Sequence, residues 1–136
     1  MNKDRMQVGD VAQLDVEVTH EMTAEALGNV GVRVLATPVL VQYLEMVAIR
    51  ALEPCMDDSE FSVGAQIDVR HTAATPVGGH VHLEAKVTGI EGRKVTFVVT
   101  AKDDEESIST ADHVRYVVDR TRFLEGVDAK RDRLSQ

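Results

Sequence analysis

Positions 37–54 read TPVLVQYLEMVAIRALEP, and this is the one strongly apolar helical stretch in the sequence. Thr37 is a good N-cap, because its hydroxyl can accept a hydrogen bond from an unpaired backbone N–H, and Pro38 suits the first helical turn. Pro54 cannot continue a helix and therefore marks its end. We predict a helix over positions 37–54, with the carboxylate of Glu45 midway along it.

One face of this helix is predicted to be buried. At about 100° per residue, Gln42, Arg50 and Glu53 fall opposite the apolar face, and Glu45 lies at the border between the two. From this pattern alone, Glu45 is predicted to be a rim carboxylate that faces solvent or pairs with a lysine or arginine. The apolar residues that share one broad arc are Leu40, Tyr43, Leu44, Val47, Ala48, Ala51 and Leu52.

The rest of the chain alternates between apolar and polar residues with a period of two, which is typical of strands. We predict one strand at 11–20 and, after the helix, four more at 61–71, 81–87, 95–101 and 108–118, joined by short turns. The predicted fold is α+β: a single domain over positions 1–136, with an antiparallel sheet of five strands and the helix on one face. A charged tail from about position 120 is either a short surface helix or frayed.

Composition narrows the class of protein. The formal net charge of −8, without a long run of Lys and Arg, argues against a nucleic-acid partner. No apolar stretch is long enough to span a membrane, and a single cysteine, Cys55, excludes an intrachain disulfide. We expect a cytoplasmic protein. An exposed sheet edge would be covered by pairing across a two-fold axis, so we also expect a homodimer, which can pair further into a tetramer.

Two residues are candidates for chemistry. His71 shares its parity with Phe61, Val63, Ala65, Ile67 and Val69, so it is predicted to point toward the helix. A buried imidazole needs a polar partner, and a Glu45–His71 pair would suit acid/base or nucleophilic catalysis. Spacing alone does not show that the two meet, and a histidine held at a strand end is the alternative.

A metal site is not predicted. His80 and His82 lie two apart on one strand face, and together with His113 they would suggest zinc. His80 and His82 supply only two ligands on that face, no further ligands are evident beside them, and a solvated strand face explains both.

Several motifs together resemble a known family. They are Ala36-Thr37-Pro38 leading into the helix with Glu45, then Gly64, the run from His71 to Pro76 (HTAATP), and the strand bearing His113 and Arg115. In this pattern the chain resembles the hot-dog thioesterases related to fluoroacetyl-CoA thioesterase, over roughly positions 7 to 123.

The resemblance implies a hot-dog fold, a dimer with active sites near the subunit interface, and hydrolysis of a short acyl-CoA. It also implies that Thr37, Glu45 and His71 are catalytic and that Gly64 and Arg115 line the substrate site. Glu45 would act as nucleophile or general base, and Thr37 is either functional or only an N-cap. No cofactor is implied, because coenzyme A is part of the substrate.

One feature departs from the family. The loop before Thr37, positions 29–34, contains no aromatic residue. An aromatic lid that selects a fluorinated acyl group is therefore not expected, and another small or medium acyl group is predicted. The alternative function is a non-catalytic module that binds or senses acyl-CoA on the same fold, and an enoyl-CoA hydratase or dehydratase ranks last.

Overall fold

The computed structural model describes residues 1–136 and consists of one five-stranded antiparallel sheet with helix α1, Thr37–Leu52, packed on one face. The strands are β1 (Val11–Glu17), β2 (Glu60–His71), β3 (His80–Glu91), β4 (Lys94–Asp103) and β5 (Ser107–Asp119). They lie in the order β1-β3-β4-β5-β2, so that β1 and β2 form the two edges. This is the predicted α+β arrangement.

The start of α1 differs from the prediction. The N-cap is Ala36, with extended backbone, and no side chain caps the helix. The prediction that Thr37 is the N-cap is therefore wrong: Thr37 is already in the helix, and its hydroxyl is directed at a residue of another element. At the other end, the helix stops at Leu52 and continues as a short 3-10 turn, Glu53–Cys55.

The core lies between α1 and the sheet. Every second residue of β3 and β4 is buried, as the alternation predicted, and these side chains meet the apolar face of the helix. Tyr43, predicted to be in that face, is only partly buried. The helix residues that are buried are Leu40, Leu44, Val47, Ala48, Ala51 and Leu52.

A bulge interrupts β2 and changes which side chains face the helix. Gly64 pairs with Arg115 and Gln66 pairs with Val114, so Ala65 is an extra residue without a partner. Residues opposite each other in an antiparallel pair point to the same face of the sheet. The extra residue therefore means that even-numbered side chains face the helix before the bulge and odd-numbered ones face it afterwards. After the bulge His71 faces the helix as predicted. Before the bulge, Phe61 and Val63 lie on the outer face of the sheet. The prediction that they share a face with His71 is therefore wrong.

The C-terminal segment forms helix α2, Arg120–Leu134, which resolves the two predicted alternatives in favour of a surface helix. The Asp119 side chain caps it by accepting a hydrogen bond from the backbone N–H of Arg122 at 2.8 Å. None of its residues is buried, and Phe123 packs edge-on against the outward-facing Phe61 at 5.4 Å between ring centroids. Neither α1 nor α2 is both long and apolar enough to cross a membrane.

Candidate active site

The predicted site residues lie in two groups, and the first is a hydroxyl–imidazole pair. Thr37 Oγ1, on the first residue of α1, is 2.8 Å from Nδ1 of His71, the last residue of β2. His71 Nε2 is buried and has no hydrogen-bond partner. The pair opens onto a cleft walled largely by small and aliphatic side chains, including Ala24, Val32, Val34, Leu35, Ala36, Ala73 and Ala74.

The surroundings of His71 favour its neutral form. Burial lowers the pKa of His71 below its ordinary value, and the nearby backbone of Ala73 opposes this only in part. A neutral imidazole can take up a proton at neutral pH. Next to a hydroxyl at hydrogen-bond distance, His71 has the geometry of a general base acting on Thr37.

The second group centres on Glu45. Its Oε2 accepts a hydrogen bond from Arg115 Nη1 at 3.1 Å. The Glu45 side chain is 38% exposed, whereas that of Arg115 is only 5% exposed. Glu45 therefore lies at the border of the buried face, as the helical pattern predicted, and its partner is an arginine. The carboxylate is reachable from solvent while the guanidinium that holds it is not.

Arg115 is fixed from three sides. Its Nε donates to Ser62 Oγ at 2.9 Å, its Nη2 donates to the Ser62 carbonyl at 3.2 Å, and its Nη1 lies 3.2 Å from His113 Nε2 as well as beside Glu45. Burial lowers the pKa of Arg115, and the hydrogen bond and charge of Glu45 oppose that shift. The carboxylate is thus held by a guanidinium that has little freedom to move.

Gly64 lies against this ion pair. A Cβ atom at position 64 would be 3.1 Å from Glu45 Oε2 and 3.2 Å from Arg115 Nη1. Both distances are tighter than an ordinary van der Waals contact, so a side chain here would displace the pair. Gly64, Glu45 and Arg115 are therefore brought together, although periodicity alone had placed Gly64 on the opposite face of β2.

The two groups are separate within one chain. Thr37 and Glu45 are eight residues apart on α1, which corresponds to roughly 12 Å along the helix axis. Glu45 hydrogen-bonds Arg115, and His71 hydrogen-bonds Thr37. The Glu45–His71 pair considered from the sequence is not formed within a single chain.

The other histidines do not converge. His82 lies on the outer face of the sheet, where its two ring nitrogens are each 2.8 Å from a carboxylate, Asp15 on one side and Asp104 on the other. His113 is buried on the helix-facing side of β5. No group of three or more His, Cys, Asp or Glu is arranged to hold a metal ion.

Comparison with known proteins identifies the family. The model of the fluoroacetyl-CoA-specific thioesterase family matches residues 18–121. The chain belongs to this family. A fluoroacetyl-CoA thioesterase from Streptantibioticus cattleyicolor is 37% identical over 90 residues, which cover 66% of this chain and 65% of that protein.

Solved structures agree with this assignment. A variant of the fluoroacetyl-CoA thioesterase FlK in complex with acetyl-CoA superposes with a TM-score of 0.86 at 31% identity, covering 92% of this chain and 98% of that one. A hot-dog-like protein from Thermanaerovibrio acidaminovorans, at 22% identity, shares the fold alone, with a TM-score of 0.84 over 95% of each chain. The predicted hot-dog fold is confirmed.

Sequence reasoning missed two residues that lie against Arg115 in the candidate site, Ser62 and His113. Simple alternation with Phe61 and Val63 facing the helix predicts that Ser62 points away from it, and the bulge at Ala65 turns Ser62 toward Arg115 instead. His113 was noted in the motif but given no role of its own. A long strand with small residues at its centre, Gly64 and Ala65, is the signal that points to a bulge.

Proposed function

We propose that this protein is an acyl-CoA thioesterase, which hydrolyses the thioester of a small or medium acyl-CoA to the free acid and coenzyme A. Family membership supports the reaction class. The observation that carries the proposal is the Thr37 hydroxyl 2.8 Å from a half-buried imidazole with a lowered pKa, at the mouth of a cleft. The reaction as proposed uses side chains and water, and coenzyme A enters only as part of the substrate.

The residue types suit thioester hydrolysis. Attack on the carbonyl needs a nucleophile or an activated water, donors for the developing oxyanion, and a group that manages the proton of the leaving thiol. In our proposal Glu45 is the nucleophile or the general base, His71 and Thr37 handle the proton, and Gly64 and Arg115 line the substrate site. The first backbone N–H groups of α1 lie beside Thr37 and are suited to binding the oxyanion.

We further propose that the acyl group is small and not selected for fluorine. The cleft beside Thr37 is walled by small aliphatic residues, and positions 29–34 contain no aromatic side chain. The FlK complex described above holds acetyl-CoA, which makes acetyl-CoA a sensible first substrate. Fluoroacetyl-CoA would be turned over no faster than acyl groups of similar size.

Release of free thiol from a panel of acyl-CoAs tests the reaction. We expect Glu45→Gln and His71→Ala each to lower turnover by about 10²-fold or more, the usual scale for a positioned acid/base group, with both variants still folded. Near-normal rates in both would contradict the assignment. Binding of acyl-CoA by the wild type without any thiol release would instead favour the binding or sensing module.

We also propose a homodimer in which each active site uses both subunits. Edge strand β2 carries both Gly64, which lies beside Glu45, and His71. The two are seven residues apart, which is roughly 23 Å along a strand at about 3.3 Å per residue. If two copies pair antiparallel along β2 with the axis near Ile67 and Asp68, His71 of the partner subunit comes beside Gly64. Such pairing would cover the exposed edge and would join the two groups that a single chain keeps apart.

Mixing inactive variants tests this arrangement. Because a two-fold dimer has two equivalent sites, a heterodimer of Glu45→Gln and His71→Ala subunits has one site with both changes and one intact site. Subunit exchange should then restore about a quarter of wild-type turnover, since half of the dimers are mixed. A mixture of Thr37→Ala with His71→Ala is the matched control, because Thr37 and His71 lie in the same half-site, and it should restore nothing. Restoration in neither mixture would place the site within one subunit.

A further inference from the structure

His113 is the one buried titratable side chain near Glu45 to which the proposed mechanism assigns nothing. It lies on the helix-facing side of β5, is 2% exposed, and packs its ring against Phe97 of β4 at 6.0 Å between centroids. Its ring nitrogens have two polar neighbours: Nδ1 is 2.8 Å from the Gln66 carbonyl, and Nε2 is 3.2 Å from Arg115 Nη1.

These two neighbours select one protonation state. A carbonyl oxygen only accepts hydrogen bonds, so His113 Nδ1 must carry the proton. A guanidinium only donates, so Nε2 must carry the lone pair. The neutral Nδ1–H form satisfies both contacts at once, whereas an imidazolium would place an N–H against an N–H of Arg115.

The same contacts restrict where Arg115 can point. Arg115 Nη1 carries two hydrogens and has two acceptors within hydrogen-bond distance. One acceptor is His113 Nε2, and the other is Glu45 Oε2. The Gln66 carbonyl belongs to the residue directly after the bulge in β2. The bulge therefore anchors His113, His113 anchors one edge of the guanidinium, and the guanidinium holds the carboxylate.

We propose that His113 is a positioning residue that, as the neutral Nδ1–H tautomer, fixes Arg115 and through it the orientation of Glu45. The inference rests on the proposed thioesterase function for its kinetic consequence. The groups that face the ring are Arg115 on its own strand, Glu45 from α1, and from β2 the uncharged Gln66 carbonyl; Phe97 of β4 is uncharged. Burial, followed by the charge of Arg115, lowers the pKa of His113, while the Gln66 hydrogen bond and Glu45 raise it.

Three variants separate positioning from packing. His113→Leu removes both polar contacts, and we expect kcat for acetyl-CoA to fall about 10- to 100-fold with little change in KM, since a misplaced catalytic group costs rate on this scale. His113→Gln can place its amide oxygen near the position of Nε2, and it should keep kcat within a few fold. Val99→Ala, a buried change on β4 opposite Ala85 and Ala111, is the matched control and should lower the melting temperature while leaving kcat unchanged.

Acid pH gives a second readout. Protonation of His113 should contribute to the fall of wild-type kcat at low pH, and this fall should be less steep in His113→Gln, which cannot titrate. A merely structural role would not alter the profile. The inference is overturned if His113→Leu has the kinetics of Val99→Ala, or if Leu and Gln at position 113 lower kcat equally.

The tautomer can be read without any turnover. In ¹⁵N spectra of the protein near pH 7, we expect the His113 ring to be neutral and protonated at Nδ1. The His113 signals are identified as those that disappear in His113→Gln. A ring protonated at Nε2, or at both nitrogens, overturns the inference. If the wild type releases no thiol from any acyl-CoA, the proposed function fails, and the spectrum still decides whether His113 is held as described.

Discussion

The two halves of the candidate site are built differently. The Thr37–His71 pair joins the exposed start of a helix to the end of an edge strand through one hydrogen bond between uncharged groups. The Glu45–Arg115 pair is charged, and its guanidinium is buried and held by Ser62 and His113 on regular strands. The first half is suited to moving a proton, and the second to keeping a charge in a fixed place.

The difference follows from the cost of burial. A buried guanidinium must have its donors satisfied, because an unpaired charge in a low-dielectric interior is strongly unfavourable. A half-buried histidine whose pKa burial has lowered can stay neutral with a single side-chain partner, as His71 does with Thr37, while its Nε2 has no partner. Arg115 Nη1, by contrast, already has two polar neighbours, Glu45 Oε2 and His113 Nε2.

Replacing Arg115 should have the largest effect, because it removes the support of the charged half. For Arg115→Leu we expect kcat to fall by about 10²-fold and the free energy of unfolding to fall by about 2 kcal/mol, less than for a fully buried pair because Glu45 can rehydrate. Urea denaturation and thiol release measure the two. Arg115→Lys keeps the positive charge but lacks the planar guanidinium with its several donors. We expect it to restore the free energy of unfolding more fully than kcat.

Replacing Thr37 should separate activity from stability. Thr37→Ala removes the hydroxyl group that hydrogen-bonds His71, so kcat should fall by about 10²-fold. Unlike a true N-cap, whose loss costs about 1 kcal/mol, Thr37 accepts no capping hydrogen bond, and the free energy of unfolding should hardly change. A variant that is less stable by about 1 kcal/mol but fully active would show that Thr37 serves the helix after all.

The sequence predicts the regular parts of this fold well, for a physical reason. The apolar arc of α1 and the alternation in β3 and β4 each indicate burial against one face, and both are found as predicted except that Tyr43 is only partly buried. The bulge in β2 is different, because one unpaired residue, Ala65, reverses every parity before it without changing the composition of the strand. The faces predicted for Phe61 and Val63 are therefore wrong.

The site was less predictable than the fold. The resemblance implies one site that contains Thr37, Glu45, His71, Gly64 and Arg115. Within one chain the structure brings Gly64 and Arg115 to Glu45 and brings Thr37 to His71, as two separate groups. The Thr37–His71 contact depends on the path of the loop into α1 and on where β2 ends, which local patterns do not determine. The N-cap prediction failed for the same reason: Thr37 has a competing partner that is 34 residues away in the sequence.

A methyl group at position 64 should disturb only the Glu45–Arg115 pair, and it should lower kcat less than the loss of Arg115 or of the Thr37 hydroxyl. In Gly64→Ala the new Cβ would be 3.1 Å from Glu45 Oε2, so the charged half must shift by a few tenths of an ångström, and we expect kcat to fall by about 10-fold. Gly126→Ala is the control, because position 126 lies in α2 with nothing within 4 Å. That variant should keep its rate and gain up to about 1 kcal/mol in helix stability.

The smallest effect is on stability as a function of pH, and it contrasts the site histidines with His82 on the outer face. Burial lowers the pKa of both His71 and His113 in the folded protein. The unfolded chain therefore binds more protons as the pH falls below about 6.5, and the folded state loses stability there. For His82 the hydrogen bonds to Asp104 and Asp15 raise the pKa, so its contribution is present below about pH 6.5 and is lost as the pH rises through the folded-state pKa.

Urea denaturation between pH 5 and pH 8 can separate these opposed contributions. We expect His113→Gln to weaken the loss of stability on acidification, because a group that binds protons preferentially in the unfolded chain is gone. His82→Gln should make that loss steeper, because the opposing group is removed while His71 and His113 remain. Equal pH dependence in the two variants would mean that His113 is not held neutral by burial, and the charged half of the site would then lack the fixed support that distinguishes it from the Thr37–His71 pair.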